Sequence, residues 1–202
     1  VGVEGNGQKE LIDAITGLRR CTEGTITLNG KDITSCSIAA IRRDGLSYIP
    51  QDRIKVGTAV NASIQENLFA VFTEDSRFVH KGILKKNEIK QWADTLIKQF
   101  MIKTKSPDVP VKMLSGGNMQ KVIIAREFSA SAGCIIADQP TRGVDIGAAK
   151  FIHQKIIEMR DNGAAILVNS ADLAEILEIS DSLVVMYGGE ITAYFPDAGM
   201  VS

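Results

Sequence analysis

Several short runs in this chain have residue types and spacings suited to holding a charged, oxygen-rich anion. Leu114-Ser115-Gly116-Gly117-Asn118-Met119-Gln120 is a Ser-Gly-Gly turn followed at once by a helical pattern. Glycines let a backbone approach closely, the first N–H groups of a helix have no intrahelical acceptor, and the helix dipole adds partial positive charge. Ser115 sets a hydroxyl beside them. Taken alone, the run reads more readily as a helix entered through a flexible turn with Ser115 near its N-cap. Its company gives the anion-binding reading its force.

A second run, Gly5-Asn6-Gly7-Gln8-Lys9-Glu10, follows Gly2-Val3-Glu4 and precedes Leu11, Ile12 and Ile15 at helical spacing, with Gly17 closing the helix. This is the strand, glycine loop, helix order of a phosphate-binding loop. The familiar pattern is Gly-x-x-x-x-Gly-Lys-Ser/Thr, whose lysine meets the outer phosphates and whose hydroxyl coordinates Mg²⁺. Here Gln8 holds the lysine position and Lys9 the hydroxyl position. A helical residue one step along points about 100° away, so Lys9 does not simply take over. Glu10 adds a negative charge. By itself, an ordinary tight turn before a helix fits this run as well.

Cys134-Ile135-Ile136-Ala137-Asp138 is an apolar run of the kind found in buried parallel strands, and it ends in a carboxylate suited to Mg²⁺. The next residue is Gln139. An amide cannot take a proton from water near neutral pH, so general-base help worth ~10²- to 10⁴-fold is unavailable from it. Pro140-Thr141-Arg142-Gly143-Val144-Asp145 turns into a helix carrying Phe151, Ile152, Ile156 and Met159. A second buried strand, Ala164 to Val168, ends in Asn169-Ser170-Ala171-Asp172, a natural place for a terminal-phosphate sensor. No histidine stands there. Gln51, in Pro50-Gln51-Asp52-Arg53, ends the strand Leu46 to Ile49 and alone reads as an exposed polar residue.

The elements that must position these runs follow from periodicity. Thr25 to Leu28 alternates in β fashion, Asn29-Gly30 turns, and Ser37 to Arg43 is a short helix. From about residue 54 to 128 helices replace the βα alternation. Ser63-Ile64-Gln65-Glu66 is a capping box for a helix to about Val71. Asn87 is expected to cap a helix with Ile89, Trp92, Ala93, Leu96, Ile97 and Phe100 on one face, and Trp92 is expected in the core. Pro107 and Pro110 break the chain before Leu114. The basic run Lys81 to Lys90 reads as a solvated face, His153 as a packed or surface histidine, and His80 has no visible partner. Ser182 to Tyr187, Gly188-Gly189 and Glu190 to Tyr194 form a closing hairpin. The expected organisation is one domain over 1-202, with an α/β core from 1-53 and 129-202 and a helical subdomain from about 54-128.

Composition narrows the function classes. With 202 residues, 45% hydrophobic, the chain can bury a full core. Its 23 basic and 24 acidic residues nearly cancel, so there is no electrostatic footprint for nucleic acid or an anionic membrane. Cys21, Cys36 and Cys134 are odd in number, far apart and without nearby histidines, which points to neither a disulfide framework nor a metal site and suits a reducing cytoplasm. No apolar run approaches the ~18 residues that span a bilayer. A membrane connection is therefore expected to go through a partner.

In this order and spacing the runs closely resemble the nucleotide-binding domain of ATP-binding-cassette (ABC) transporters, over essentially the whole chain. Gly2 to Glu10 matches the phosphate loop, Gln51 the Q-loop, Leu114 to Gln120 the family signature, Asp138 the Mg²⁺ aspartate, Gly143 to Asp145 the D-loop and Asn169 to Asp172 the switch region. Val3-Glu4-Gly5-Asn6-Gly7-Gln8, Pro50-Gln51-Asp52-Arg53 and Gln139 to Asp145 resemble the second of two fused cassettes in importers of simple sugars and nucleosides, leaning to the nucleoside branch.

The resemblance implies an α/β P-loop NTPase (RecA-like) core with an inserted helical subdomain and a small antiparallel β part. Further strands, with the aromatic that stacks on adenine, would precede Val1. It implies ATP and Mg²⁺ as cofactors, the metal at Gln51 and Asp138. Gly5, Asn6, Gly7, Gln8, Lys9 and Glu10 would face phosphates, and Gln139 and Ser170 would hold catalytic positions. Leu114, Ser115, Gly116, Gly117, Asn118 and Gln120 would serve the ATP of a second cassette, in the same polypeptide or a dimer partner, stacked head to tail, and Asp145 of the D-loop would also bind nucleotide. Transmembrane permease subunits would dock on the helical insert near Gln51 to Arg53, placing the protein on the inner face of the cell membrane.

The departures concentrate in one site: Gln8 for lysine, Lys9 for the hydroxyl, Gln139 for glutamate, and Ser170 or Ala171 for histidine, depending on alignment. Losing a charge-assisted phosphate hydrogen bond costs ~1.5 to 3 kcal/mol, so ATP is expected to bind there weakly or not at all. The signature is intact. The leading expectation is a cassette that completes a partner's ATP site while its own site is structural or regulatory. Two others stay open: a slow ATPase with Lys9 rearranged, and a DNA-repair or ribosome-associated cassette, which near-neutral charge and the absence of coiled-coil heptads disfavour.

Overall fold

Short apolar runs punctuated by glycine turns become alternating helices and strands. The computed structural model describes residues 5–200, so the strand expected over Gly2-Val3-Glu4 lies outside the described residues. In chain order the elements begin with α1 (Gln8–Ile15), β1 (Thr27–Leu28), β2 (Lys31–Asp32), α2 (Ile38–Arg43) and β3 (Leu46–Ile49). Next come α3 (Ile64–Phe69), β4 (Val79–His80), β5 (Ile83–Leu84), α4 (Lys86–Gln99) and α5 (Gly116–Phe128). The chain continues through β6 (Cys134–Asp138), α6 (Ile146–Asp161), β7 (Ala165–Asn169), α7 (Leu173–Ile179), β8 (Leu183–Tyr187) and β9 (Glu190–Phe195).

Two compact units result, one of Val1–Tyr48, Ala132–Pro140 and His153–Ser202, the other of Ile49–Ser131 and Thr141–Ile152. The first holds a sheet in the order β3-β6-β7. Strands β6 and β7 are parallel and in register from Cys134↔Ala165 to Asp138↔Asn169, which brings their two polar ends side by side. Ile12, Leu28, Ile33, Ile41, Leu46 and Ile136 form its buried cluster. Each such side chain removed from water contributes roughly 1.5–3 kcal/mol. The expected closing hairpin is present as antiparallel β8–β9, with a register shift between Val185 and Met186.

In the second unit Phe69, Phe72, Phe78 and Ile89 cluster with Trp92 packed against them, its ring 4.8 Å from that of Phe72. Trp92 is thus half-buried, packed against the core cluster. Both halves of the capping box form: Ser63 Oγ accepts from Glu66 N–H, and Glu66 Oε2 accepts from Ser63 N–H at 2.7 Å. Asn87 does not cap α4 as expected. The N-cap is Lys85, with no side-chain bond, because hairpin β4–β5 runs straight into the helix and Ile89 N–H already reaches Lys85 O. The basic run therefore begins as the Lys81-Gly82 turn of that hairpin. Helix α5 is buried over most of its length, Val122 to Ala125 completely, as suits the central helix of a unit. Among the described residues no helix is long and apolar enough to cross a membrane.

Candidate functional site

In the first unit α1 starts at Gly7, whose φ of 101° is open to glycine without strain and which has no side-chain cap. The Gln8 side chain is buried and folds back, its Oε1 accepting from Asn6 N–H at 3.1 Å. A loop amide that would face a phosphate is thereby bonded to the chain's own amide oxygen. Asn6 is also tied to the β8–β9 turn: Gly189 N–H donates to its carbonyl and Gly188 N–H to its Oδ1, each at 3.0 Å. A Cβ on Gly7 would come 2.8 Å from Gly189 Cα, so only glycine lets loop and hairpin meet. Lys9 Nζ is held by the Asp13 carboxylate at 2.9 Å, one helical turn along, and Glu10 lies exposed in the first turn.

The strand ends are equally committed. Asp138 is 2% exposed, and its Oδ1 accepts from Asn169 Nδ2 at 2.7 Å. Gln139 is buried in the left-handed region at φ 51°, donates through N–H to Asn169 O at 2.8 Å and accepts at Oε1 from Ala171 N–H at 3.4 Å. A non-glycine residue there stores roughly 1–3 kcal/mol of strain. Ser170 Oγ donates to buried Glu175 Oε2 at 2.5 Å and accepts from Asp172 N–H at 3.0 Å. The other Glu175 oxygen lies 2.9 Å from His153 Nε2, so His153 is a packed histidine with an acid partner. Glu175 carried no signal beyond being an acid in a helix's first turn. Burial, and then the charges of Asp138 and Asp13, push the Tyr48 phenol well above its ordinary pKa.

These donors do not fit a Mg²⁺-triphosphate. The lysine and hydroxyl positions hold an amide and an ammonium tied to Asp13, an acid stands in the first turn, and the Asn6 amide is already bonded. Among the described residues no group of His, Cys, Asp or Glu is placed to hold a metal ion. Gln51, half-buried, belongs to the second unit and Asp138 to the first.

In the second unit the Ser-Gly-Gly turn is open by comparison. Ser115 caps α5, its Oγ accepting from Asn118 N–H at 3.4 Å and from Asn118 Nδ2 at 2.9 Å. Asn118 Oδ1 in turn accepts from Lys103 N–H at 2.8 Å, which pins the turn to the segment after α4. Gly116 and Gly117 open the helix, where the backbone has no internal acceptor for their amides. A Cβ on Gly117 would stand 3.2 Å from both Ala148 Cβ and Asp145 Oδ2. Asp145 caps the start of α6 through Ala148 N–H at 2.9 Å, and that bond holds its carboxyl below the usual carboxylate range. Leu114 is half-buried and Gln120 buried. Lys121 donates to Met101 O at 3.2 Å and lies 4.6 Å over the Phe151 ring; burial lowers its pKa.

An alternating α/β core and a helical unit headed by a Ser-Gly-Gly turn together define a nucleotide-binding cassette. The sequence profile described as "ABC transporter" matches residues 1–142, and the chain belongs to the ABC transporter family. It is 44% identical over 192 residues to the guanosine import ATP-binding protein NupO of Bacillus subtilis, covering 95% of this chain and 38% of that protein. It is 39% identical over 190 residues to the nucleoside import ATP-binding protein NupA of Lactococcus lactis, covering 94% and 38%. The chain thus spans under two-fifths of these relatives' length. Among solved structures it is similar to MJ1267, an ATP-binding cassette of an ABC transporter, with TM-score 0.78, 27% identity and coverage of 98% and 79%. The dimeric, ADP- and Pi-bound cassette MJ0796 superposes with TM-score 0.81 at 21% identity, covering 96% and 82%, a likeness of fold. The fold is that of P-loop ABC cassettes, a parallel core with small antiparallel sheets.

Proposed function

We propose that the chain is one cassette of an importer of nucleosides or simple sugars. In this reading it lends its Leu114–Gln120 turn to an ATP carried by a second cassette, and its own phosphate loop does not turn ATP over. The observation that carries the second half is the bond from Asn6 N–H to Gln8 Oε1, which takes up one loop amide from within the chain. The first half is supported by the names of the similar proteins, which import guanosine and nucleosides.

In the trans role the Ser115 hydroxyl and the Gly116 and Gly117 amides meet the terminal phosphate of the partner's ATP. Fixed donors of that kind are worth ~10²- to 10³-fold in turnover each. Asp145 and Asn118 hold the turn in shape. Residues 1-53 and 129-202 act as the core, about 54-128 as the helical subdomain, and permease subunits bring the cassette to the inner face of the membrane. No nucleic acid is involved.

The test compares ATP turnover by the full-length protein, assembled with its membrane subunits, after Ser115→Ala and after Gln139→Ala. The expected result is a large loss for the first and little change for the second. Loss of turnover on Gln139→Ala with a harmless Ser115→Ala would sink the reading.

A further inference from the structure

The run Pro50-Gln51-Asp52-Arg53, near which permease subunits are expected to dock, takes no part in the ATP side of the proposed function. Asp52 shapes the next five residues of the chain. Its Oδ1 accepts from Ile54 N–H at 3.0 Å and Lys55 N–H at 2.9 Å, and its carbonyl accepts from Val56 and Gly57 N–H, which closes a π-type turn over Arg53–Gly57. Such wide turns are rare and frequently stand at functional sites. Thr58 Oγ1 bonds Arg53 O at 2.7 Å and locks the exit. Gly57 sits flat on α5: a Cβ there would come 2.6 Å from Ile123 Cδ1. The turn is therefore seated on the same helix that Ser115 heads.

From this seat the half-buried Arg53 side chain reaches across 89 and 90 residues of sequence. Nη1 donates to Arg142 O at 2.8 Å and Nη2 to Gly143 O at 3.0 Å, a two-pronged grip on successive carbonyls of the Pro140–Asp145 turn. The guanidinium also fills the space beside two glycines. A Cβ on Gly143 would stand 2.9 Å from Nη2, and one on Gly116 would stand 3.3 Å from Nη2 and 3.5 Å from Gly143 O. The Arg53 fork therefore lies against both the turn ending in Asp145 and the first glycine of the Ser-Gly-Gly turn. Asp145 itself flanks the next glycine, Gly117.

We infer that Arg53 is a positioning residue for the Ser115–Gly117 turn. Its guanidinium clamps the Arg142–Gly143 carbonyls against Gly116, sets the distance at which the turn meets a partner's phosphate, and adds a fixed positive charge beside it. Arginine is required because a planar fork reaches two carbonyls at once, whereas the single ammonium of lysine reaches one. Glycine suits both neighbours: Gly143 sits at φ 64° with the guanidinium 2.9 Å from where its Cβ would be, and a Cβ on Gly116 would press the guanidinium at 3.3 Å. The inference rests on the proposed trans role of the turn.

The experiment measures kcat and KM for ATP in the full-length protein with its membrane subunits, for Arg53→Ala, Arg53→Lys, Gly116→Ala and the Arg53→Ala/Gly116→Ala double variant. Displacing a positioned group by about an ångström costs up to ~10²-fold in rate. The expected result for Arg53→Ala is therefore a tenfold or greater fall in kcat, with KM within about twofold, and Arg53→Lys does not restore it. Gly116→Ala is harmful in the native background and distinctly less so once Arg53 is truncated, because the guanidinium it meets is gone. Should Arg53→Ala fail to fold, Arg53→Gln is judged by the same criteria. Native kcat in Arg53→Ala, full rescue by lysine, or additive losses in the double variant each overturn the proposal. Ser115→Ala is run in parallel. If it is harmless the trans role itself falls, while a damaging Ser115→Ala beside a harmless Arg53→Ala removes only the part assigned to Arg53.

Discussion

The molecule contains two glycine turns that run into helices, one at Gly7 and one at Ser115, and they are built to opposite ends. At Gly7 the cap carries no side chain, Gln8 bonds the loop amide, Lys9 is drawn off to Asp13, and Glu10 places an acid in the first turn. At Ser115 the hydroxyl caps, Asn118 braces it, the first turn of α5 carries no acid, and the Arg53 guanidinium lies alongside. A glycine turn before a helix is thus only a backbone device. Whether it receives an anion is decided by the side chains that compete for its N–H groups.

The largest expected effect breaks this comparison most directly. Gly117→Leu, which cannot fit beside Ala148 and Asp145, is expected to reduce ATP turnover of the assembled protein at least ~10²-fold, while Gln8→Ala changes it by less than about twofold in the same steady-state assay. Next is the reverse engineering of the closed loop. Gln8→Lys with Lys9→Thr removes the internal plug and supplies both missing groups, and titration of this chain with a fluorescent ATP analogue should show at least tenfold tighter binding, the equivalent of about 1.4 kcal/mol. Unchanged binding would sink the proposal that Gln8 and Lys9 close the loop to ATP.

A smaller effect concerns the buried polar cluster at the end of β7. Glu175→Ala strands Ser170 and His153 and is expected to cost about 2–3 kcal/mol in denaturant unfolding, without lowering turnover that depends on the Ser115 side. Smallest are the pH limbs. The Tyr48 phenol is raised in the folded state, so its contribution is whole below its unfolded pKa of about 10 and is lost as pH climbs above that, and Tyr48→Phe should flatten the alkaline limb of the melting profile. Asp145 has the opposite sign. Its lowered pKa contributes stability above about pH 4 that is lost as pH falls through the folded value, so Asp145→Asn should flatten the acid limb instead.

Much of the architecture was legible in local pattern. The apolar run Cys134 to Asp138 is β6, residue for residue, and Ser63 with Glu66 forms both bonds of its box. Ser115 sits at the N-cap where its spacing put it. The start of α4 was not legible, because a two-residue strand supplied by β5 overrode the capping preference of Asn87. Nor did the spacing of Gln8 reveal that its side chain turns back on Asn6; the departure from a lysine pattern raised an expectation of weak binding and said nothing of where that side chain goes.

From the sequence alone came most of the strands and helices, the Ser-Gly-Gly turn and the departure of Gln8 and Lys9 from the phosphate-loop pattern, because periodicity, capping and residue identity act over a few neighbouring positions. Only the tertiary structure decided what each turn's N–H groups and glycines face. Those partners lie far along the chain: the Gly188-Gly189 turn against Asn6 and Gly7, and Arg53 against Gly143 and Gly116. Hydrogen bonds of 2.8 to 3.0 Å between segments 89 to 182 residues apart exist only once the core has closed around them, and no local pattern encodes that closure.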